Sequence, residues 1–224
     1  MASQLIHITL PDGTRKQVPT GCTVREALTP QGGRLDGKIL AAKVNGVPMD
    51  LFHALDQDAS VEPLTFESAE GREVYRHSST HIMAQAVKEV FPSAQLTIGP
   101  ALDDGFYYDF AFDRPFTPED LEKIEARAIE ITKRGLTVSR SELSKEDAIK
   151  FFQDRGEAYK VELINSFDDG SPISLYRQGE FVDLCRGPHL PTTGYVGAFK
   201  LLSTGGAYWR GDERNPMLQR VYGT

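Results

Sequence analysis

The chain has 224 residues, with 25 Lys and Arg against 32 Asp and Glu, a formal charge of −7 and a pI near 5.3. Hydrophobic residues make up 40% and charged residues 25%, which excludes a disordered, collagen-like or coiled-coil chain, and the length allows one or two domains. No run approaches the ~18 apolar residues of a membrane span, Met1-Ala2-Ser3-Gln4 has no signal-peptide character, and two cysteines, Cys22 and Cys185, make no disulfide scaffold, so a reducing, cytoplasmic setting without a membrane is expected.

Residues 1–65 read as one small unit. Leu5 to Leu10 alternates as a strand, Pro11-Asp12-Gly13 is a turn, and Lys16-Gln17-Val18 returns. Thr23-Val-Arg-Glu has the spacing of a capping box for a short helix through Leu28. Val44-Asn45-Gly46-Val47 is a hairpin turn signal. Hairpin, helix, hairpin predicts a β-grasp, ubiquitin-like fold.

Residues 66–72 are polar and read as a link. A helix is predicted from about Glu73 to Phe91, ending before Pro92. Leu96-Thr97-Ile98 and the aromatic run Phe106–Phe110 read as strands, joined through Asp103-Asp104-Gly105. Thr117-Pro118-Glu119-Asp120 starts a helix that should end near Gly135, and Ser144 starts another that stops by Gly156. From Tyr159 onward short strands are expected. The fold class is therefore α+β: a small β-grasp domain, 1–65, then a larger α+β domain with antiparallel sheet, 66–224. The acidic total does not exclude RNA, because residues 186–224 hold five basic and only two acidic side chains.

The chemistry gathers at two spaced pairs. His77 and His81 are four apart on the predicted helix, which puts both imidazoles on one face. His189 follows Cys185 by four residues at a corner marked by Gly187-Pro188. Two His, a Cys and a further His form a ligand set suited to tetrahedral zinc. Ser78 stands where a metalloprotease helix carries its Glu. The plainer alternative is a solvated or core helix face with no joint role. In Phe181–Cys185 the period of two places Phe181, Asp183 and Cys185 on one face. Asp183 there is either a surface carboxylate on an edge strand or the partner of an ammonium group inside a pocket. Lys160 is flanked by apolar residues, and by pattern alone it faces solvent. Phosphate-binding glycine loops and a serine-hydrolase elbow are absent.

Arg76-His77-Ser78-Ser79-Thr80-His81, Ile98-Gly99-Pro100 with Gly105-Phe106-Tyr107-Tyr108-Asp109, Arg155 to Val161, Val182 to His189 and Gly206-Ala207-Tyr208-Trp209-Arg210-Gly211 together resemble the amino-terminal region of bacterial threonyl-tRNA synthetases. The likeness spans essentially the whole chain. Residues 1–65 resemble the TGS domain and 66–224 the editing domain. The resemblance implies proofreading hydrolysis of serine wrongly esterified to tRNA(Thr), on a chain without the aminoacylation core that is normally attached. It implies His77 and Lys160 as the residues that position or activate water. Asp183 is implied for the substrate ammonium, and His81, Cys185 and His189 for the pocket and the seryl hydroxyl. Tyr108 and Gly99 are implied for seating the amino acid and terminal adenosine. The family implies no metal, so no cofactor is expected, with zinc on His77, His81, Cys185 and His189 as the alternative. A non-catalytic tRNA-binding module, or a trans-acting or alanyl-type deacylase, would be the competing assignments.

Overall fold

Alternation along β1 (Leu5–Thr9) buries Ile6 and Ile8 while Leu5 stays exposed. β1 pairs antiparallel with β2 (Arg15–Pro19) across the expected turn. The chain then runs through β3 (Cys22–Thr23), α1 (Val24–Leu28), β4 (Ile39–Val44), β5 (Val47–Met49), β6 (Ala54–Leu55) and β7 (Ala59–Thr65). The capping box forms as the sequence predicts: the Thr23 side chain accepts from Glu26 N–H, and the Glu26 carboxylate accepts from Thr23 N–H. Asn45 and Gly46 both take positive φ between β4 and β5, +50° and +85°, the conformation a two-residue hairpin requires. The sheet order is β2-β1-β7-β4-β5, with β1 and β7 parallel. Val24 and Ala27 of α1 pack with Ile8, Ala42, Leu51 and Val61 into one core, which is the β-grasp arrangement.

The computed structural model describes residues 4–168, 170 and 172–224; the leader reading on Met1-Ala2-Ser3 lies outside the described residues. Two units divide the chain. One runs to Tyr75 and takes in Gly187–Pro191; the other comprises Arg76–Arg186 and Thr192–Thr224.

The polar stretch 66–72 does not end as a link. Helix α2 (Ala69–Val90) begins inside it, because the Ser68 hydroxyl accepts from Gly71 N–H and so caps the first turn. The second unit continues with β8 (Gln95–Leu96), β9 (Phe106–Ala111), α3 (Pro118–Arg134), β10 (Val138–Leu143) and α4 (Lys145–Gln153). After these come α5 (Ala158–Asn165), β11 (Ile173–Gln178), β12 (Phe181–Leu184), β13 (Leu201–Tyr208) and β14 (Met217–Gly223). Two antiparallel sheets form, β10-β11-β12 and β13-β14-β9-β8. Thr117 caps α3 in a second capping box with Asp120, and Gly135 closes that helix in the left-handed conformation. Ile124, Ala128 and Ile131 give α3 its buried stripe. Ala148, Phe152 and Ile164 of α4 and α5 cover Ile173 and Leu175 of β11. Short strands were expected from Tyr159, yet residues 158–165 are helical. Tyr159, Val161 and Leu163 alternate as on a strand, while Val161 and Ile164 share a helix face, so pattern alone did not separate the two.

Candidate functional site

Helix α2 carries His77 and His81 one turn apart, their rings 5.6 Å between centroids and nearly perpendicular. The pleat of β12 turns Phe181 and Asp183 to its buried face and leaves Val182 and Leu184 half-buried. Cys185 lies one residue beyond that strand. Its N–H donates to the Ser174 carbonyl, and the Ser174 hydroxyl donates to the Cys185 carbonyl. So held, the Cys185 Sγ sits 3.2 Å from His77 Nε2.

Lys160 contradicts the solvent-facing reading. It is 2% exposed, and Asp183 1%. A turn of helix brings its stem inward because Ile164 on the same face packs into the core. Its Nζ lies 2.6 Å from Asp183 Oδ1 and donates to the Tyr108 hydroxyl at 3.1 Å. The Tyr108 hydroxyl in turn donates to Asp183 Oδ2 at 2.7 Å, and Leu184 N–H donates to Oδ1 at 2.7 Å. A lysine, a tyrosine and an aspartate from α5, β9 and β12 thus close a triangle. Burial of these charges is tolerable because each has a partner. Asp183 is therefore no surface carboxylate on an edge strand.

His81 Nε2 is 3.8 Å from Asp183 Oδ2. Burial lowers the His81 pKa to about 3, against the opposing pull of Asp183, so this imidazole is neutral at physiological pH. Burial, followed by the Asp183 charge, raises the Tyr108 hydroxyl well above its ordinary value. It stays protonated and can only donate towards that carboxylate.

These groups face one cavity of about 690 Å³, lined among others by His77, Gly99, Tyr108, Lys160, Asp183 and Cys185, within the size range of small-molecule sites. Gly99 has a steric reason to be glycine: a Cβ there would come 2.1 Å from Tyr108 Cδ2. The segment around it is tied to β9 by Asp109 N–H donating to the Ile98 carbonyl. The second unit therefore brings together His77, His81, Gly99, Tyr108, Lys160, Asp183 and Cys185. His189 lies on the Gly187–Pro191 segment that belongs to the other unit, where its N–H donates to Asp50 Oδ1. The sequence did not mark Ser174, although it fixes Cys185 from both sides; only the pairing of β11 with β12 reveals it. One nitrogen each from His77 and His81 and the Cys185 sulfur lie within 4.8 Å of one another, so this group could hold a metal ion.

A family profile described as the TGS domain matches residues 6–65. Another, described as the threonyl and alanyl tRNA synthetase second additional domain, matches residues 173–222. Over 222 residues, 99% of the chain, it is 54% identical to the threonine–tRNA ligase of Symbiobacterium thermophilum. The chain carries the TGS and editing-type domains of threonyl-tRNA synthetases. The corresponding ligase of Acidithiobacillus ferrooxidans is 57% identical over 97% of the chain, and that of Clostridium tetani 52% identical over 98%. In each case the chain spans about a third, 34%, of the length of the synthetase it matches. Among the described residues no helix is long and apolar enough to cross a membrane.

Proposed function

We propose that the second unit hydrolyses the ester of serine wrongly attached to tRNA(Thr). The observation that carries this reading is the convergence of the Lys160–Asp183–Tyr108 triangle and the His77–Cys185 pair on one cavity. Such a site is needed because serine lacks one methyl of threonine, and a methylene-sized difference gives a synthetic pocket only ~1–3 kcal/mol of discrimination. A second pocket that rejects threonine and cleaves the seryl ester corrects the error.

In this reading His77 orients the attacking water from the cavity wall, with Cys185 fixing its imidazole. Lys160 supplies positive charge for the oxyanion that develops on the ester carbonyl and assists the departing ribose oxygen. Asp183 receives the substrate's α-ammonium. Neutral His81 offers hydrogen bonding rather than charge. Tyr108 and Gly99 seat the amino acid and the terminal adenosine. The resemblance also assigns His189 to this pocket, and that assignment stands here as part of the proposal. So do the domain limits, 1–65 and 66–224, the cytoplasmic setting and attachment to the remainder of a synthetase.

We take the chemistry to be metal-free, because a buried ammonium already places positive charge beside the cavity. The donor set His77, His81 and Cys185 nevertheless suits zinc, which would polarise water or the ester carbonyl when bound.

The deciding experiment measures deacylation of seryl-tRNA(Thr) by the wild type, His77→Ala and Lys160→Ala. Loss of a water-positioning or charge-supplying group is expected to slow turnover by about 10²–10⁴-fold. Equal rates in all three proteins would sink the catalytic assignment, and binding without turnover would make this a tRNA-binding module. Faster cleavage of seryl-tRNA(Ala) would shift the assignment to an alanyl-type deacylase.

A further inference from the structure

Glu157 is a buried carboxylate that the proposed chemistry does not use. It is 4% exposed and stands immediately before α5, yet it makes no side-chain cap to its own helix. Its carboxylate leaves the helix instead. Oε2 accepts from Leu96 N–H at 2.8 Å, and Oε1 lies 2.7 Å from Lys88 Nζ. The same ammonium donates to the Pro92 and Ala94 carbonyls, at 3.0 and 2.9 Å. All three Lys88 protons therefore have acceptors.

Each element in this junction carries part of the site. Lys88 is in the last turn of α2, the helix of His77 and His81. Leu96 ends β8 and leads into Ile98 and Gly99 of the cavity wall. Glu157 immediately precedes α5, and Lys160 is one turn further on, its N–H donating to the Glu157 carbonyl. Strand β9, with Tyr108, pairs with β8. A single ion pair thus cross-links the supports of the histidines, the glycine wall and the lysine.

We propose that Glu157, through Lys88, is a positioning residue that sets the register of α5 and so holds the Lys160 ammonium on Asp183 and Tyr108. The kinetic arm rests on the deacylase reading above; the labelling arm does not. A charge buried at this depth stays only where its partners are fixed, because an unpaired one is costly. The pair is therefore sensitive to small displacements between α2, β8 and α5. Misplacement of a reacting group by about 1 Å reduces turnover by up to about 100-fold.

The test uses Glu157→Gln, Lys88→Met and Lys88→Arg in the full chain. Glu157→Gln is isosteric and keeps an acceptor for Leu96 N–H while losing the charge. Lys160 accessibility is read by brief amine labelling and peptide mass spectrometry, and kcat and KM by seryl-tRNA(Thr) deacylation. In the wild type the buried Lys160 should resist labelling. Glu157→Gln and Lys88→Met should label Lys160 at least about tenfold faster and lower kcat by about 10–100-fold with KM nearly unchanged. Lys88→Arg should recover most of both. Variants that lose thermal stability alone, with Lys160 still protected, would overturn the positioning role. A wild type without deacylase activity would remove the functional reading and leave the labelling result to decide the cross-link.

Discussion

Replacing Asp183 by Asn keeps the side chain's shape and its bond from Leu184 N–H, but removes the charge that faces Lys160. The ammonium is then left buried beside a neutral amide, and the Tyr108 hydroxyl loses its ionised acceptor. Removing one partner of a buried ion pair costs about 3–5 kcal/mol. Lys160→Met is milder, because Asp183 keeps the Tyr108 and Leu184 donors; the loss there is about 1–3 kcal/mol. The double substitution removes both charges, so its cost should fall short of the sum of the singles by about 2 kcal/mol. With a urea dependence of about 2 kcal/mol per molar, Asp183→Asn should lower the unfolding midpoint by about 2 M. Trp209 is the chain's one tryptophan and is buried in the second unit, so its fluorescence reports on that unit alone. Additive effects, or an Asp183→Asn no costlier than Lys160→Met, would refute the buried triangle.

Gly99→Ala should displace Tyr108, since the added methyl would collide with its ring; overpacking of this kind costs about 1–3 kcal/mol, and both Tm and deacylation should fall, whereas an unchanged protein would show that the wall yields freely. The Arg114 guanidinium holds the Asp120 carboxyl down to about 2 from its usual 3.8, so the stabilisation is complete above pH 4 and is lost as pH falls through about 2. Arg114→Met should accordingly flatten the acid limb of a stability–pH curve between those values, and urea melts from pH 5 to 2 read it. Purified chain should contain no stoichiometric zinc by elemental mass spectrometry, and its deacylation should survive a chelator; zinc at one equivalent whose removal stops turnover would reverse the metal-free reading.

Local signals were the most legible. Thr23 with Glu26, Thr117 with Asp120, Gly135 and the Asn45-Gly46 pair all act through neighbours in sequence, and each forms the cap or turn its chemistry demands. The four-residue spacing of His77 and His81 likewise survives intact as a shared helix face. What the sequence hid depends on distant partners. Lys160 looks like a surface residue until β9 and β12 supply Tyr108 and Asp183. Glu157 lies inside the block from Arg155 to Val161, yet nothing there marks its role, because its partners Leu96 and Lys88 come from other elements. The helix at 158–165 was concealed for a simpler reason: within it Tyr159 to Leu163 alternate apolar and polar as a strand does, while Val161 and Ile164 also fit one helix face.

The engaged state of Asp183 has a consequence for what can enter the cavity. Its carboxylate already holds one cation and two neutral donors, so a stray potassium ion or simple amine gains little by approaching. A ligand that brings an ammonium for Asp183 and, at the right distance, an electron-rich oxygen for Lys160 can trade both bonds at once. Under the proposed deacylase reading, recognition becomes an exchange of partners that would favour molecules bearing the two groups in that fixed relation, as an aminoacyl ester does.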